Sequence, residues 1–222
     1  MRNRWIESDL FEALSSVTDM ILINVLFIIL SIPLFFYGAA KTAMYELMLR
    51  MVEKNGISVR EFFTRFGNNF KKGIVPGLLF ALWNITATVC GFLCVNGLLS
   101  RMGFPDEGET IALICAVVSI LFCNAVKEKY FLFAARFEGP FKQHFSNAIR
   151  YCLGYSIRSL LTAILASVPV LCLLFNPVIL SRTIFLILLL YYAAVALAEA
   201  YLMKKPIMEL IVRFNQNETE DQ

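Results

Sequence analysis

The sequence predicts an all-α, polytopic membrane helix bundle, with about five transmembrane helices plus amphipathic interfacial helices on the cytoplasmic side. Three observations predict it. Of the 222 residues, 59% are hydrophobic and only 17% charged, with a mean hydropathy of +0.68, whereas soluble domains carry about 25% charged residues. The missing charge is concentrated in blocks: windows 20–40, 73–100, 110–126, 159–181 and 183–198 contain no Asp, Glu, Lys or Arg. A helix needs about 20 apolar residues to cross the hydrocarbon core. Windows one, two and four clear that length, and the other two extend into mixed flanks. A core helix of a soluble protein would instead interrupt its apolar face with charges at every turn.

The third observation is where the cations stand. Arg and Lys number 2 before the first span, then 7, 1, 6 and 1 in the successive connections and 3 after the last. Cytoplasmic loops carry the excess of Lys and Arg, so the alternation places the N-terminus outside and the C-terminus in the cytoplasm. Residues 1–214 form a single integral membrane domain on this reading. Its spans lie at about 20–37, 74–100, 110–130, 157–175 and 178–203, with interfacial helices at about 40–54, 59–72 and 133–150. The tail "NQNETEDQ", residues 215–222, is polar and acidic and is predicted to be disordered. Small residues at 38–40 raise the question of signal cleavage. The leading segment is long and acidic, however, and cleavage there would put the loop of seven cations outside, so the first span is read as uncleaved.

Each element has its own signal. Pro33 should stop or bend the first helix within "SIPLFFYG". In 40–54, Ala40, Ala43, Met44, Leu47, Met48 and Met51 fall on one stripe, with Lys41 off it and Glu46 and Arg50 spaced for an i,i+4 pair. Asn55-Gly56 supplies the stop. Ser58 and Glu61 have capping-box spacing for the next helix. Phe62, Phe66 and Phe70 then share a face, and Lys71 and Lys72 end the segment. Such a stripe suits a helix with its rings in the acyl boundary and its cations among anionic headgroups; it equally suits packing against the protein's own spans. Stacking on nucleic acid would draw the rings out of apolar surroundings, so no nucleic-acid partner is expected.

Gly73, Gly77 and Ala81 make a small-residue row for close helix contact at the start of span two. Asp106 and Glu109 are spaced as a cap for span three, which should continue helically through "KEKYFLFAARF". Phe133, Phe137, Phe141 and Phe145 then recur every four residues across Gly139-Pro140. A shift of 79 residues aligns Phe62 with Phe141 and Phe66 with Phe145. A repeat of surface helix plus transmembrane hairpin would explain this, as would chance or a shared constraint. Span four ends at Asn176-Pro177, and a tight turn leads into span five.

Chemistry-bearing residues are few. Six cysteines lie in or beside spans without a C-x-x-C pair and read as small packing residues. His144 is the one histidine, so neither a metal site nor a Cys-His nucleophile is expected, and no catalytic or cofactor-binding residue is assigned. Asn84, Thr88 and Glu199 offer a polar intramembrane face. Glu199 is the candidate intramembrane acid, which either pairs with a neighbouring cation about one turn away, as Lys204 is, or couples protons. The other amides, Asn24 and Asn124 among them, should bond between helices.

The stretches "NVLFIILSIPLFFYGAAKTAMYELM" (Asn24–Met48), "REFFTRFGNNFKKG" (Arg60–Gly73) and "YFLFAARFEGPFKQHFSNAIR" (Tyr130–Arg150) resemble the signature segments of the YesL-like bacterial integral membrane proteins. The resemblance implies a multi-pass protein of the bacterial cell membrane with no catalytic residues to carry over. It also implies a link to carbohydrate import, and hence other membrane proteins of a sugar-uptake system as partners beside the lipid bilayer. The expected function is a non-enzymatic accessory or regulatory membrane protein acting through Phe62, Phe66, Phe70, Lys71, Lys72, Phe137, Phe141 and Phe145. The alternative is a small transporter or channel subunit moving a small solute along the Asn84–Thr88 face.

Overall fold

The computed structural model describes residues 2–101, 103 and 105–204 and is all-α, with no strand among those residues. The predicted tail at 215–222 lies outside them. The helices are α1 (Arg2–Ser31), α2 (Tyr37–Val52), α3 (Val59–Val95), the single turn α4 (Leu98–Arg101), α5 (Asp106–Arg136), α6 (Phe141–Gly154), α7 (Ser156–Phe175) and α8 (Pro177–Leu186). The last continues through a π segment, Ile187–Tyr191, and as α-helix to Lys204. Five helices are long and apolar enough to cross a membrane, and their outward faces are apolar. Ile157 is 84% exposed and Phe185 67%, with Leu82, Val89, Ile111 and Val118 also turned outward. A soluble monomer rarely tolerates contiguous apolar surface on that scale, so lipid is the solvent the bundle fits.

Two of the expected boundaries dissolve. The separate helices at 59–72 and 74–100 are one, α3, whose 37 residues span about 55 Å against a hydrocarbon core of about 30 Å. No turn residue separates Lys72 from Gly73, and Pro76 inside the helix removes only one backbone hydrogen bond. Likewise α5 carries Phe133 within it and stops only at Arg136, before Gly139-Pro140. Both helices therefore project past the membrane at the same end, where α2 and α6 pack against them.

The expectation that 40–54 lies on the membrane surface is overturned. Its apolar stripe is buried within the protein from Ala40 to Met48, and Lys41, Thr42 and Tyr45 off the stripe are buried too. Enclosed by α3, α5 and α1, α2 is a core helix and has no lipid face. The predicted Glu46–Arg50 pair does not form. Glu46 pairs with Arg65 at 3.0 Å and Arg50 with Glu61 at 2.7 Å, because α3 offers partners closer than the neighbouring turn of α2. Glycine makes that approach possible: a Cβ on Gly77 would stand 2.6 Å from the Gly38 nitrogen, and one on Gly73 would stand 2.5 Å from the nitrogen of Ala39.

Local signals hold at most helix ends. The first helix stops at Ser31, two residues before Pro33. Ser58 Oγ accepts from the Glu61 amide at 3.3 Å, and the Asn176 side chain caps α8 by accepting from the Ile179 amide, with Pro177 in the first turn. Ahead of α5 the cap differs from expectation: Pro105 holds the N-cap position, and Glu109 instead accepts from the Ser100 hydroxyl.

Candidate functional site

At the end of the bundle carrying α2 and α6, the projecting halves of α3 and α5 part around a cavity of about 440 Å³. This is within the usual range for small-ligand sites, roughly 300–1,000 Å³. Its walls come from four helices: Glu46 from α2, Arg65, Asn69 and Lys72 from α3, Tyr130 from α5, and His144 from α6. The loop Phe137–Pro140 between α5 and α6 closes one side. Several of these charges are already spent. Glu46 accepts from Asn69 Nδ2 at 2.6 Å besides pairing with Arg65, and Arg136 at the rim pairs with Glu53 at 2.8 Å. Burial pushes the Glu46 carboxyl above its ordinary range, and Asn69 and Arg65 oppose that. Burial likewise pulls the His144 imidazole below its ordinary range, the Gly139 backbone opposing and Lys72 reinforcing it.

Directly below lies a second polar layer. Glu128 of α5 receives Lys41 of α2 at 3.0 Å, Lys127 at 3.5 Å and the Tyr45 hydroxyl. Lys129 pairs with Glu199 of the last helix and donates to Thr162 Oγ1 of α7 at 3.0 Å. Lys127 also donates to Asn124 Oδ1, and Asn124 Nδ2 to Ser167 Oγ at 2.8 Å. The Lys41 ammonium sits over the rings of Phe27 and Tyr45, 5.5 and 5.3 Å from their centres, where each ring face adds to its stabilisation. Buried charge is stable only when paired and hydrogen-bonded; each of these ions is paired, and Glu199 Oε2 alone of the layer's carboxylate oxygens is buried without a hydrogen bond among the described residues.

The structure gathers some predicted residues and scatters others. Lys72, Phe137 and Phe141 line the cavity. Phe62 is fully buried, so it is a core side chain and meets neither lipid nor a partner. Phe66 and Phe70 are half-buried around Phe36, at 5.8 and 5.4 Å between ring centres, and Phe145 is half-buried against Phe141. Lys71 is exposed. The ring most open on α3's aromatic segment is Phe63, 49% exposed, which the stripe reading passes over because it flanks the i,i+4 row.

Asn84 bonds Cys123 Sγ at 3.0 Å and its own Phe80 carbonyl at 3.1 Å. Thr88 is half-buried on the same helix, and Glu199 belongs to the layer around Lys129, so the three do not form one face. Glu199 pairs across the bundle with α5 rather than with Lys204, whose ammonium reaches the Val52 carbonyl.

Sequence reasoning misses the layer of Lys41, Lys127, Glu128 and Lys129 because it assigns the three lysines to the connections between spans and passes over Glu128. A signal stands immediately downstream: "KEK" is succeeded by the apolar run "YFLFAA", so the charges interrupt a buried helix and do not end it. Asn24, expected to bond between helices, does so unusually well. Its Nδ2 donates to the Ile187 and Leu188 carbonyls at 3.2 and 2.8 Å, and its Oδ1 accepts from the Ala193 amide at 2.9 Å. A π turn leaves backbone groups without their usual partners, and in lipid these must be satisfied within the protein; Asn24 supplies that.

Residues 20–96 match the model of a family described as a protein of unknown function, DUF624. That segment includes Asn24, all of α2 and all of α3, and so most of the polar cavity wall. No curated protein and no solved structure matches the chain.

Proposed function

We propose that the chain is a non-enzymatic accessory or regulatory protein of the bacterial cell membrane, N-terminus outside and C-terminus in the cytoplasm, that works through the end of the bundle formed by α2 and α6. The observation that carries this reading is the exposure on α3 and α6 of aromatic and basic side chains, Phe63, Lys71, Lys72, Phe141 and Lys142, of which Lys72 and Phe141 line the cavity. A link to sugar uptake, with transport proteins as partners, rests on the YesL-like resemblance of Asn24–Met48, Arg60–Gly73 and Tyr130–Arg150.

The test uses exposed positions, since alanine at Phe66 or Phe70 would disturb the packing on Phe36. A Phe63→Ser, Lys71→Glu, Lys142→Glu variant should insert and purify as a single species yet lose the proteins that accompany the wild type from native membranes. Unchanged co-purification would show the surface to be idle.

A small-solute transporter is the second reading, favoured by the buried ion pairs, since ionisable groups inside a membrane bundle commonly mark solute or proton paths. Vesicles containing the purified chain would then carry flux of some sugar or ion above that of empty vesicles, and a flat result across a broad panel removes this reading.

A further inference from the structure

Apart from Glu46 Oε2, which Arg65 approaches at 3.0 Å without making a hydrogen bond, the hydrogen-bonding capacity left over in the cavity belongs mainly to three side chains. Among the described residues, Lys72 has no carboxylate within ion-pair distance, whereas Arg65 and Arg136 are matched by Glu46 and Glu53. Tyr130 lines the cavity and is only 3% exposed, and its hydroxyl has no hydrogen-bond partner among the described residues. Asn68, one turn before Lys72 on the same helix, also lines the cavity, and its amide makes no hydrogen bond to a described residue. His144, 6% exposed, stands in the same lining. The remaining carboxylate of the lining, Glu138, lies in the loop at the rim. An ammonium, a phenol and an amide thus border one cavity with donors to spare. An anion with several acceptor oxygens would meet all three together, through charge-assisted hydrogen bonds.

We propose that this cavity binds the phosphate of an organic phosphate monoester, with Lys72 as countercharge and Tyr130 and Asn68 as donors to its oxygens. The volume exceeds what a bare phosphate fills and leaves room for the esterified group, beside which Phe137 and Phe141 form an apolar rim. The ester can come from either of two sources, a water-soluble metabolite entering from the mouth or a lipid whose headgroup reaches in from the leaflet. The assignment goes beyond the docking reading and does not depend on it: a variant can lose its partner proteins and still bind phosphate.

The full-length chain in phosphatidylcholine nanodiscs provides the test. Glycerol 3-phosphate, titrated while the unfolding midpoint is followed, should raise that midpoint for wild type and for Lys72→Arg, and glycerol should not. Lys72→Gln and Tyr130→Phe should each weaken the response roughly tenfold to a hundredfold, as expected for loss of a hydrogen bond to a charged group. Lys72 is exposed, so its substitution leaves folding intact and keeps the test readable if Tyr130→Phe does not fold. A rise with phosphatidic acid doped into the disc but none with glycerol 3-phosphate assigns the lipid as the source; a rise with glycerol 3-phosphate assigns the free ester. No rise with either, an equal rise in Lys72→Gln, or an equal rise with glycerol overturns the proposal.

Discussion

Lys54 ends α2 with a φ of 60°, in the left-handed region that costs an L-residue about 1–2 kcal/mol relative to the helical one. The Asn55 amide returns to the Arg50 carbonyl at 2.9 Å and that of Lys54 to Met51 at 3.0 Å, closing the helix as glycine would. The sequence puts the stop at Asn55-Gly56, one to two residues late, because glycine is the usual occupant of this conformation. Lys54→Gly should therefore raise stability by about 0.5–1 kcal/mol, measured as the unfolding midpoint in detergent. A lower midpoint would mean that Lys54 makes a compensating interaction. Asn24 carries the opposite lesson: the sequence names the residue and its role between helices, but the π segment that gives the amide three backbone partners is not readable from residues 187–191.

The contact of α2 with α3 is legible in the sequence one side at a time. The row Gly73–Gly77 announces a helix face without side chains, and the structure sets Gly38 and Ala39 against it. Gly77→Val should abolish the folded bundle, since the added carbon would meet backbone that cannot yield, and size-exclusion chromatography would report aggregation. Gly67→Ala lies on the same helix with nothing within 4 Å of the new carbon; it should be neutral or stabilising by up to about 1 kcal/mol. If both behave alike, the close approach is not what holds α2. The 79-residue shift also lays α3 over the stretch that α6 and α7 occupy. The correspondence stops at Tyr155, where the second copy breaks and α3 runs on.

Across the bundle as a whole, burial of charge ties the helices together. Lys129 and Glu199, 70 residues apart, link α5 to the last helix. Lys129→Met and Glu199→Leu should each cost about 3–5 kcal/mol by stranding a buried ion, whereas the double variant should be nearly neutral. A double-mutant cycle in detergent measures this, and additive losses would mean that the two side chains are not coupled. Counting Lys41 and Lys129 as buried lowers two of the cation-rich connections from 7 and 6 to 6 and 5. The alternation from which the sequence predicts an orientation keeps its sense, because the intervening connections still hold one cation each.

Hydropathy and local capping determined the five apolar helices, the stop before Pro33, the cap at Ser58 and the turn at Asn176-Pro177, since each depends on residues within a turn or two of one another. Which charges are interior, that α2 is core, and that Lys72, Tyr130 and Asn68 border one cavity were decided only by the tertiary structure. The cost of burying an ion or donor depends on a partner that the chain supplies from far along its length, and no window of sequence contains both.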